Sequence, residues 1–327
     1  MRVLVTGASG FVGSHVVRKL LEKRHSVRIL RRKNSPTKLL EGLPLESVLG
    51  DVTDLDSILT AIRGCEAVFH IAGHISYWKG ERALQNRINI EGTQNIVRAC
   101  LKERVTRLVH TSSIAAIGFG EEGQVVDEAL SYNWGPYRIN YNDSKFLAEE
   151  EVRSGIARGL DAVIVNPAVV FGAGDIHLHA GAMVCQIARG KMPFYFDGGC
   201  CTCDVEDVAD GHVEALEKGR KGERYILGGE NFRWKELFRL IAETVQGSPP
   251  KWKIPLPLMK TLALLEEGSS KLMKKRPRYT PEAVRVASLP CYYSSKKAIR
   301  ELGYQVTPFK KTVQKTYDWY KANGYLT

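Results

Sequence analysis

The chain has 327 residues, enough for one large domain or two coupled ones, and its 44% hydrophobic content is ordinary for a globular protein with a real core. No apolar run reaches the roughly 20 residues needed to cross a bilayer, and seven cysteines, an odd number, argue against a disulfide framework. No nucleic-acid-binding motif accompanies the net charge of +11, so we expect a cytoplasmic protein that does not bind nucleic acid.

The first predicted strand, residues 3–6, runs directly into a turn that contains Gly7, Gly10 and Gly13. A helix over residues 12–23 follows at once. In this context Gly7 permits the tight turn, Gly10 lets a pyrophosphate approach the backbone, and Gly13 lets helix and strand pack closely. The helix N-terminus offers free N–H groups to phosphates, so the sequence predicts a dinucleotide-binding site.

Strands and helices alternate through the first half of the chain. The hydrophobic pattern predicts further strands at 27–30, 45–49, 67–71 and 107–110, and helices at 55–62 and 83–103. Such alternation implies a parallel sheet with helices on both faces. Right-handed crossovers then give a doubly wound α/β (Rossmann) fold.

The pattern changes after a helix at 140–158 and a strand at 162–166. Beyond Gly172 the predicted elements are shorter, and proline and glycine interrupt them more often. We therefore predict a dinucleotide-binding domain over 1–171 and a smaller, partly interleaved substrate-binding lobe over 172–327. Residues 223–228 are expected to return to the sheet as a strand.

Tyr141 and Lys145 stand four residues apart on a predicted helix, so their side chains share one face. An ammonium near a phenol lowers the pKa of the phenol, which lets it exchange a proton with a substrate oxygen near neutral pH. Three later Tyr/Lys pairs have the same spacing, but only this one follows the fifth strand, whose carboxyl end should face a nicotinamide.

The fifth strand ends in Thr111, Ser112 and Ser113, at the edge of the sheet where ligands bind. A serine hydroxyl there can donate a hydrogen bond to a substrate carbonyl and stabilise developing negative charge. We assign this role to Ser113, with Ser112 and Thr111 as alternatives. The alternative is that these hydroxyls have no catalytic role and only form hydrogen bonds with backbone amides of the following loop.

Together these motifs resemble those of the extended short-chain dehydrogenases/reductases. The matching segments are the glycine turn, Asp51-Val52, His70-Ile-Ala72, Asn89-Ile-Glu-Gly-Thr93, Thr111-Ser-Ser113, Tyr141-Asn-Asp-Ser-Lys145 and Asn166-Pro167. Within that family the chain is most similar to dihydroflavonol 4-reductase-like proteins, especially the bacterial group called hopanoid-associated sugar epimerases.

The resemblance implies roles for individual residues. Tyr141 is expected to be the acid/base, Lys145 its activator and ribose ligand, and Ser113 the carbonyl-binding hydroxyl. It also implies that the helices near 83–103 and at Tyr141 form a homodimer interface. The predicted cofactor-binding residues are Gly7, Ser9, Gly10, Phe11, Val12, Gly13, Arg31, Arg32, Asp51, Val52, Ala72, Tyr141, Lys145 and Pro167.

The second strand ends in Leu30-Arg31-Arg32-Lys33, where NAD-preferring enzymes place an acidic residue against the ribose 2′-OH. Guanidinium groups can bind a 2′-phosphate, whereas a carboxylate would repel it. The sequence therefore favours NADP over NAD as the cofactor. The alternative is that this basic segment is solvent-exposed and does not contact the cofactor.

Cys200, Cys201 and Cys203 lack the paired spacing of a zinc site, so we expect packing cysteines and no bound metal. Aromatic and histidine side chains after the fourth strand and after Gly174 are candidates for the substrate cleft: His74, Tyr77, Trp78, His177 and His179.

The densest basic run, residues 271–278, follows an apolar stretch at 254–265 that should form an amphipathic helix. We favour a helix that buries its apolar face against the core, over contact with an anionic membrane surface.

Three functions remain open for the whole chain. The leading hypothesis is an NADP-dependent oxidoreductase that interconverts a carbonyl and an alcohol of a small-molecule substrate. A nucleotide-sugar epimerase or dehydratase with tightly bound NAD(P) is the first alternative. A non-catalytic dinucleotide sensor is disfavoured, because Ser113, Tyr141 and Lys145 are all present.

Overall fold

The computed structural model describes residues 1–273 and 275–326. Its strands are β1 (Arg2–Thr6), β2 (Ser26–Arg31), β3 (Glu46–Leu49), β4 (Ala67–His70), β5 (Arg107–Thr111), β6 (Ala162–Pro167), β7 (Val169–Phe171), β8 (Phe194–Tyr195), β9 (Gly199–Asp204), β10 (Arg224–Leu227), β11 (Asn231–Arg233), β12 (Trp252–Lys253) and β13 (Pro290–Cys291).

The helices lie between these strands and after the last of them. They are α1 (Phe11–Glu22), α2 (Leu55–Ile62), α3 (Arg82–Asn86), α4 (Gly92–Lys102), α5 (Asn140–Ala157), α6 (Gly181–Ala188), α7 (Val205–Lys218), α8 (Trp234–Val245), α9 (Leu256–Met273), α10 (Pro281–Ala287), α11 (Lys296–Leu302) and α12 (Phe309–Ala322). Short 3₁₀ turns occupy Lys38–Leu40, Lys79–Glu81, Ile114–Ala116 and Gly135–Tyr137.

Seven strands form one parallel sheet in the order β10-β6-β5-β4-β1-β2-β3. The chain reverses its direction of progress between β1 and β4, and ligands bind at such a switch point, outside the carboxyl ends of the strands. Alternate residues of each strand face opposite layers. Val3 and Val5 pack towards α1 and α7, and Leu4 packs towards α2 and α4.

The predicted doubly wound fold is confirmed, and so are the predicted strands of this sheet to within a residue or two. Residues 224–227 return to it, paired in parallel with β6. The predicted helix over 83–103 differs in one respect. A π-helical turn at Arg87–Glu91 separates α3 from α4, because one extra residue is inserted into the helix.

The later part of the chain adds a second, smaller sheet in which β9 lies between β11 and β13, with β7 pairing to β9 as well. All seven cysteines are buried free thiols, and Cys201 and Cys203 pack in the same core cluster as Val3. The packing role expected for Cys200, Cys201 and Cys203 is therefore confirmed.

Helix α9 is longer than the predicted amphipathic helix and buries less of its apolar surface than expected. Met259 and Ala263 pack in a small core with Ile254, whereas Leu258 and Leu265 are 50% and 66% exposed. The prediction that this helix buries its apolar face is thus wrong for one side of it. Within the described residues no helix is long and apolar enough to span a bilayer. Lys274, in the basic run, lies outside the described residues.

Candidate active site

The turn between β1 and α1 depends on two glycines that no other residue could replace without movement. Gly7 has φ +71, and a Cβ there would lie 2.5 Å from the backbone nitrogen of Ala72. A Cβ on Gly13 would lie 2.1 Å from the carbonyl oxygen of Gly7. Strand, helix and the end of β4 therefore meet at van der Waals distance.

Gly10, the N-cap of α1, differs from both. Its φ of −81 suits any residue, and a Cβ would meet only the Gly7 carbonyl oxygen, at 3.2 Å. No side chain caps the helix. The first-turn N–H groups, on Phe11, Val12 and Gly13, therefore remain available to an anion.

Two arginines lie at the end of β2: Arg31 is its last residue and Arg32 follows it. Arg31 donates through Nε to the Ser47 hydroxyl at 2.9 Å, and the backbone N–H of Arg32 donates to the Ser35 hydroxyl at 3.2 Å. In the part of the chain that the structure describes, neither guanidinium forms an ion pair with a carboxylate. Asp51 faces the same space after β3, where its Oδ1 accepts hydrogen bonds from the amide and hydroxyl of Thr53, both at 2.9 Å.

Tyr141 lies in the first turn of α5 and is 7% exposed. Burial raises the pKa of its phenol, and a hydrogen bond with Ser113 opposes that rise. The Tyr77 ring packs edge-on against it, with the ring centroids 5.4 Å apart. The pKa of Tyr141 is therefore raised, whereas the sequence predicted that it would be lowered, because desolvation outweighs the hydrogen bond with Ser113.

Lys145 is one turn further along α5 and is 6% exposed. Its ammonium donates to the Thr111 carbonyl oxygen at 2.8 Å. Burial lowers the pKa of Lys145 to about 8, and the charge of Glu149 works against that lowering. This lysine is consequently a cation held at the carboxyl end of β5 with little solvent to screen it.

Of the three hydroxyl side chains at the end of β5, Ser113 is the one that affects the pKa of Tyr141. Its Oγ also accepts the backbone N–H of Ala115 at 3.1 Å. The Thr111 hydroxyl lies instead 2.8 Å from Nε2 of His212 on α7. The Ser112 hydroxyl is buried without a hydrogen-bond partner among the described residues. The geometry therefore favours Ser113 over its two alternatives.

Asn89 belongs to the motif Asn89-Ile-Glu-Gly-Thr93, and its sequence context predicts no role for its side chain. It lies in the π-helical turn, where its amide donates to the Ser144 hydroxyl at 2.9 Å and accepts the His74 N–H at 2.7 Å. It therefore ties the loop after β4 to α5, next to Lys145. The sequence signal was its position 19 residues after His70, but helical periodicity alone does not reveal a π turn.

A second buried polar cluster supports the serine. Asn166 donates to the Ser113 carbonyl oxygen at 2.9 Å and to Glu149 at 2.6 Å. Arg224 of β10 lies 3.6 Å from the same carboxylate. The returning strand thus helps to hold α5 and the Ser113 loop in place.

One cleft of about 1010 Å³ connects the glycine turn, the two arginines, Ser113, Tyr141 and Lys145. Every predicted site residue lines it: Gly7, Ser9, Gly10, Phe11, Val12, Gly13, Arg31, Arg32, Asp51, Val52, Ala72, Ser113, Tyr141, Lys145 and Pro167. The cleft runs from the two arginines, past the glycine turn, to the tyrosine and lysine, and then continues into the later part of the chain.

The far end of the cleft is built from residues that the sequence did not predict to line a binding site. Side chains from distant segments converge there: Leu84, Trp134, Met183, Cys200, Trp234, Val286, Cys291 and Tyr293. Of the candidates, His74, Tyr77, His177 and His179 line the cleft, whereas Trp78 packs against Gly80 outside it. Burial lowers the pKa of His179.

Residues 3–228 match the model of the NAD dependent epimerase/dehydratase family. The chain belongs to this family. A Synechocystis protein that carries the name dihydroflavonol 4-reductase is 36% identical, over 98% of this chain and 95% of its own length. Sterol demethylase protein B of Methylococcus capsulatus is 30% identical over 100% of both chains. The crystal structure of PA4631, a nucleoside-diphosphate-sugar epimerase from Pseudomonas aeruginosa, has a TM-score of 0.83 at 27% identity and covers 100% of this chain and 99% of its own.

Membership of the epimerase/dehydratase family makes this chain an NAD(P)-dependent enzyme of the extended short-chain dehydrogenase/reductase type. The residues present fit such a cofactor. Gly10 lines the cleft without a side chain, and uncapped N–H groups of α1 lie beside it. Lys145 is the buried cation at the other end of the same wall.

Proposed function

We propose that this enzyme is an NADP-dependent oxidoreductase that interconverts an apolar ketone and its secondary alcohol. Bound NADPH would supply the hydride. Tyr141 would give its phenolic proton to the substrate oxygen, because it is a buried phenol that is protonated at neutral pH and lines the cleft with Ser113. Ser113 would hold that oxygen while negative charge develops on it.

The proposal rests on the apolar lining of the substrate end of the cleft. In the described lining of the cleft, the arginine and lysine side chains are Arg31, Arg32 and Lys145, which all lie on the cofactor side. The far end is lined mainly by aliphatic, aromatic and sulfur-containing side chains. A nucleotide sugar carries a diphosphate, whose recognition requires cations or amide donors. An uncharged, apolar carbonyl compound suits this end better.

A nucleotide-sugar epimerase is the second candidate, supported by the family match and by the likeness to the Pseudomonas aeruginosa epimerase. The two reactions differ in net redox change. We expect the enzyme to consume one NADPH per apolar ketone reduced, measured by absorbance at 340 nm and by product analysis. Turnover of a UDP-sugar with no net change in NADPH, and no reduction across a panel of apolar ketones, would reject the oxidoreductase.

The preference for NADP is part of this proposal and rests on Arg31 and Arg32, which line the cleft beside the glycine turn without carboxylate partners in the described structure. Charge-assisted contacts to a phosphate contribute about 1.5–3 kcal/mol each, so NADPH should bind at least about tenfold more tightly than NADH. Calorimetric titration of both cofactors measures this ratio.

The double variant Arg31→Ala/Arg32→Ala should bring the two affinities together. Arg63→Ala/Arg158→Ala, which removes two exposed arginines outside the cleft, should leave the ratio unchanged and serves as the charge-matched control. Equal affinities in the wild type would contradict the preference. A preference that survives in the double variant would assign it to other residues.

A further inference from the structure

Helix α9 presents an apolar stripe to solvent. Leu258, Leu262 and Leu265 are 50%, 45% and 66% exposed, and their spacing of four and three residues places them on one face. The opposite face is the one that packs, through Met259 and Ala263, on the small core described above. The fold therefore uses one side of this helix and leaves an aliphatic side uncovered.

Two large aromatic side chains precede the helix in the same exposed region. Phe194 and Trp252 are register partners in the parallel pair of β8 and β12, so they lie side by side on one face of that ribbon. Their exposures are 53% and 66%. The ribbon is joined to α9 through Ile254, whose N–H donates to the Tyr195 carbonyl oxygen at 2.8 Å.

The charge around these apolar side chains is strongly positive. Residues 251–279 contain eight lysines and arginines and two glutamates, and so carry +6 of the net charge of +11. Lys251, Lys260 and Lys275 are exposed, and none of them forms an ion pair within the described structure. The Glu266 carboxylate accepts hydrogen bonds from the backbone N–H groups of Arg278 and Tyr279, and Glu267 is buried.

This surface adjoins the substrate end of the cleft. Arg276 lies 3.5 Å from Glu81, and Glu81 lies 3.0 Å from His74, which lines the cleft. Helix α10 packs against α9 through Val284, while its Val286 side chain lines the cleft. A ligand that leaves the cleft on this side would meet the basic, apolar surface next.

We propose that α9 and the β8–β12 ribbon form a docking surface for an anionic lipid bilayer. Exposed leucine and tryptophan beside unpaired lysines is the pattern by which a protein lies on a membrane surface without crossing it. A second copy of the chain fits less well, because a two-fold contact would bring the same basic surface against itself. This interaction goes beyond the proposed catalytic function and can be tested without an activity assay.

The test is cosedimentation of the full chain with phosphatidylserine-containing and pure phosphatidylcholine vesicles at low and moderate salt. We expect binding to the anionic vesicles that weakens as salt rises. Leu262→Glu/Leu265→Glu should reduce the bound fraction by about tenfold or more. Val125→Glu/Ile299→Glu makes the same charge change at exposed apolar positions elsewhere and should bind as the wild type does.

The lysines are tested separately. Lys251→Gln/Lys260→Gln/Lys275→Gln should weaken binding about tenfold or more, whereas Lys102→Gln/Lys235→Gln/Lys310→Gln should weaken it much less. No binding to anionic vesicles at low salt, or an equal loss in each control, would overturn the proposal. So would a wild-type dimer that ignores vesicles and becomes monomeric in Leu262→Glu/Leu265→Glu, because the surface would then join two copies.

Discussion

Tyr141 combines two properties that determine its chemistry. It is nearly inaccessible, and burial holds its pKa above the usual value for a phenol. It therefore remains protonated throughout the neutral range, as the proton donor of a reduction must. The neighbouring Ser113 is the group that partly offsets the effect of burial.

We expect Tyr141→Phe to reduce kcat by about a hundred- to ten-thousand-fold, because that is the usual contribution of a positioned acid or base. The change removes only the hydroxyl, so the edge-on contact with Tyr77 and the affinity for NADPH should remain. Steady-state kinetics and cofactor titration of the variant measure both quantities. A kcat near that of the wild type would remove Tyr141 from the mechanism, and lost cofactor affinity with intact kcat would give it a structural role.

Lys145 gives a pH dependence with a definite sign. Its folded-state pKa of about 8 lies below the 10.5 of a lysine in the unfolded chain, so the unfolded chain holds this proton more tightly than the folded one. The burial penalty is fully present below about pH 8 and is relieved as pH rises to about 10.5. The free energy of unfolding should therefore increase over this window relative to that of Lys145→Met, by about 3 kcal/mol.

Urea denaturation of the wild type and of Lys145→Met at pH 7 and pH 10, without cofactor, measures this difference. Groups other than Lys145 titrate in both proteins, so their contributions cancel in the comparison. Parallel stability curves would show that the ammonium is not held in a desolvated position.

At the scale of elements, two glycines of the turn between β1 and α1 have different roles. Gly13 allows close packing, whereas Gly10 is expected to allow the cofactor to approach the backbone. Gly13→Ala puts a Cβ 2.1 Å from a backbone oxygen and should destabilise the fold by about 2–3 kcal/mol. Gly10→Ala, with φ −81 and its nearest contact at 3.2 Å, should cost less than about 1 kcal/mol yet weaken NADPH binding about tenfold or more.

Chemical denaturation and cofactor titration of the two alanine variants distinguish these effects, and each variant is the control for the other. Equal loss of stability in both would mean that the turn tolerates neither methyl group. Unchanged NADPH affinity in Gly10→Ala would show that the phosphates do not approach this part of the backbone.

The elements of the first half could be predicted because local pattern determines them. Most of the strands are short apolar runs, and β1, β3, β4 and β5 each precede a helix with an apolar stripe, whereas β2 leads to β3 without an α-helix between them. The π-helical turn could not be predicted, since one inserted residue hardly changes helical periodicity. The direction of the shift in the pKa of Tyr141 could not be predicted either, because the depth of burial is a property of the packed structure.

The residues that line the substrate end of the cleft were even harder to predict from the sequence. Tyr141 could be selected among four Tyr/Lys pairs because it follows β5, a feature that is local in the sequence. Tyr293 belongs to one of the three later pairs, Tyr293/Lys297, yet its side chain lines the cleft and its hydroxyl donates to the Gly118 carbonyl oxygen at 3.0 Å. That contact joins residues 175 positions apart, and no local pattern encodes it.

At the scale of the whole molecule, the two predicted domains share a core. One cluster of buried side chains contains Val3 and Val165 from the sheet together with Cys201, Tyr293 and Tyr304 from the later part of the chain. The strand β10 also closes the edge of the sheet beside β6. The packing therefore crosses the predicted division at residue 171.

We accordingly expect the chain to unfold as one cooperative unit. In calorimetry the measured enthalpy should equal the van't Hoff enthalpy, and fluorescence and circular dichroism should report one coincident transition. A fragment of residues 1–171 should fail to fold, because it lacks β10 and the buried Cys201 and Tyr293 side chains. Two separate transitions, or a folded fragment that binds NADPH, would instead show that the dinucleotide-binding part is an independent domain and that the shared core contributes little to its stability.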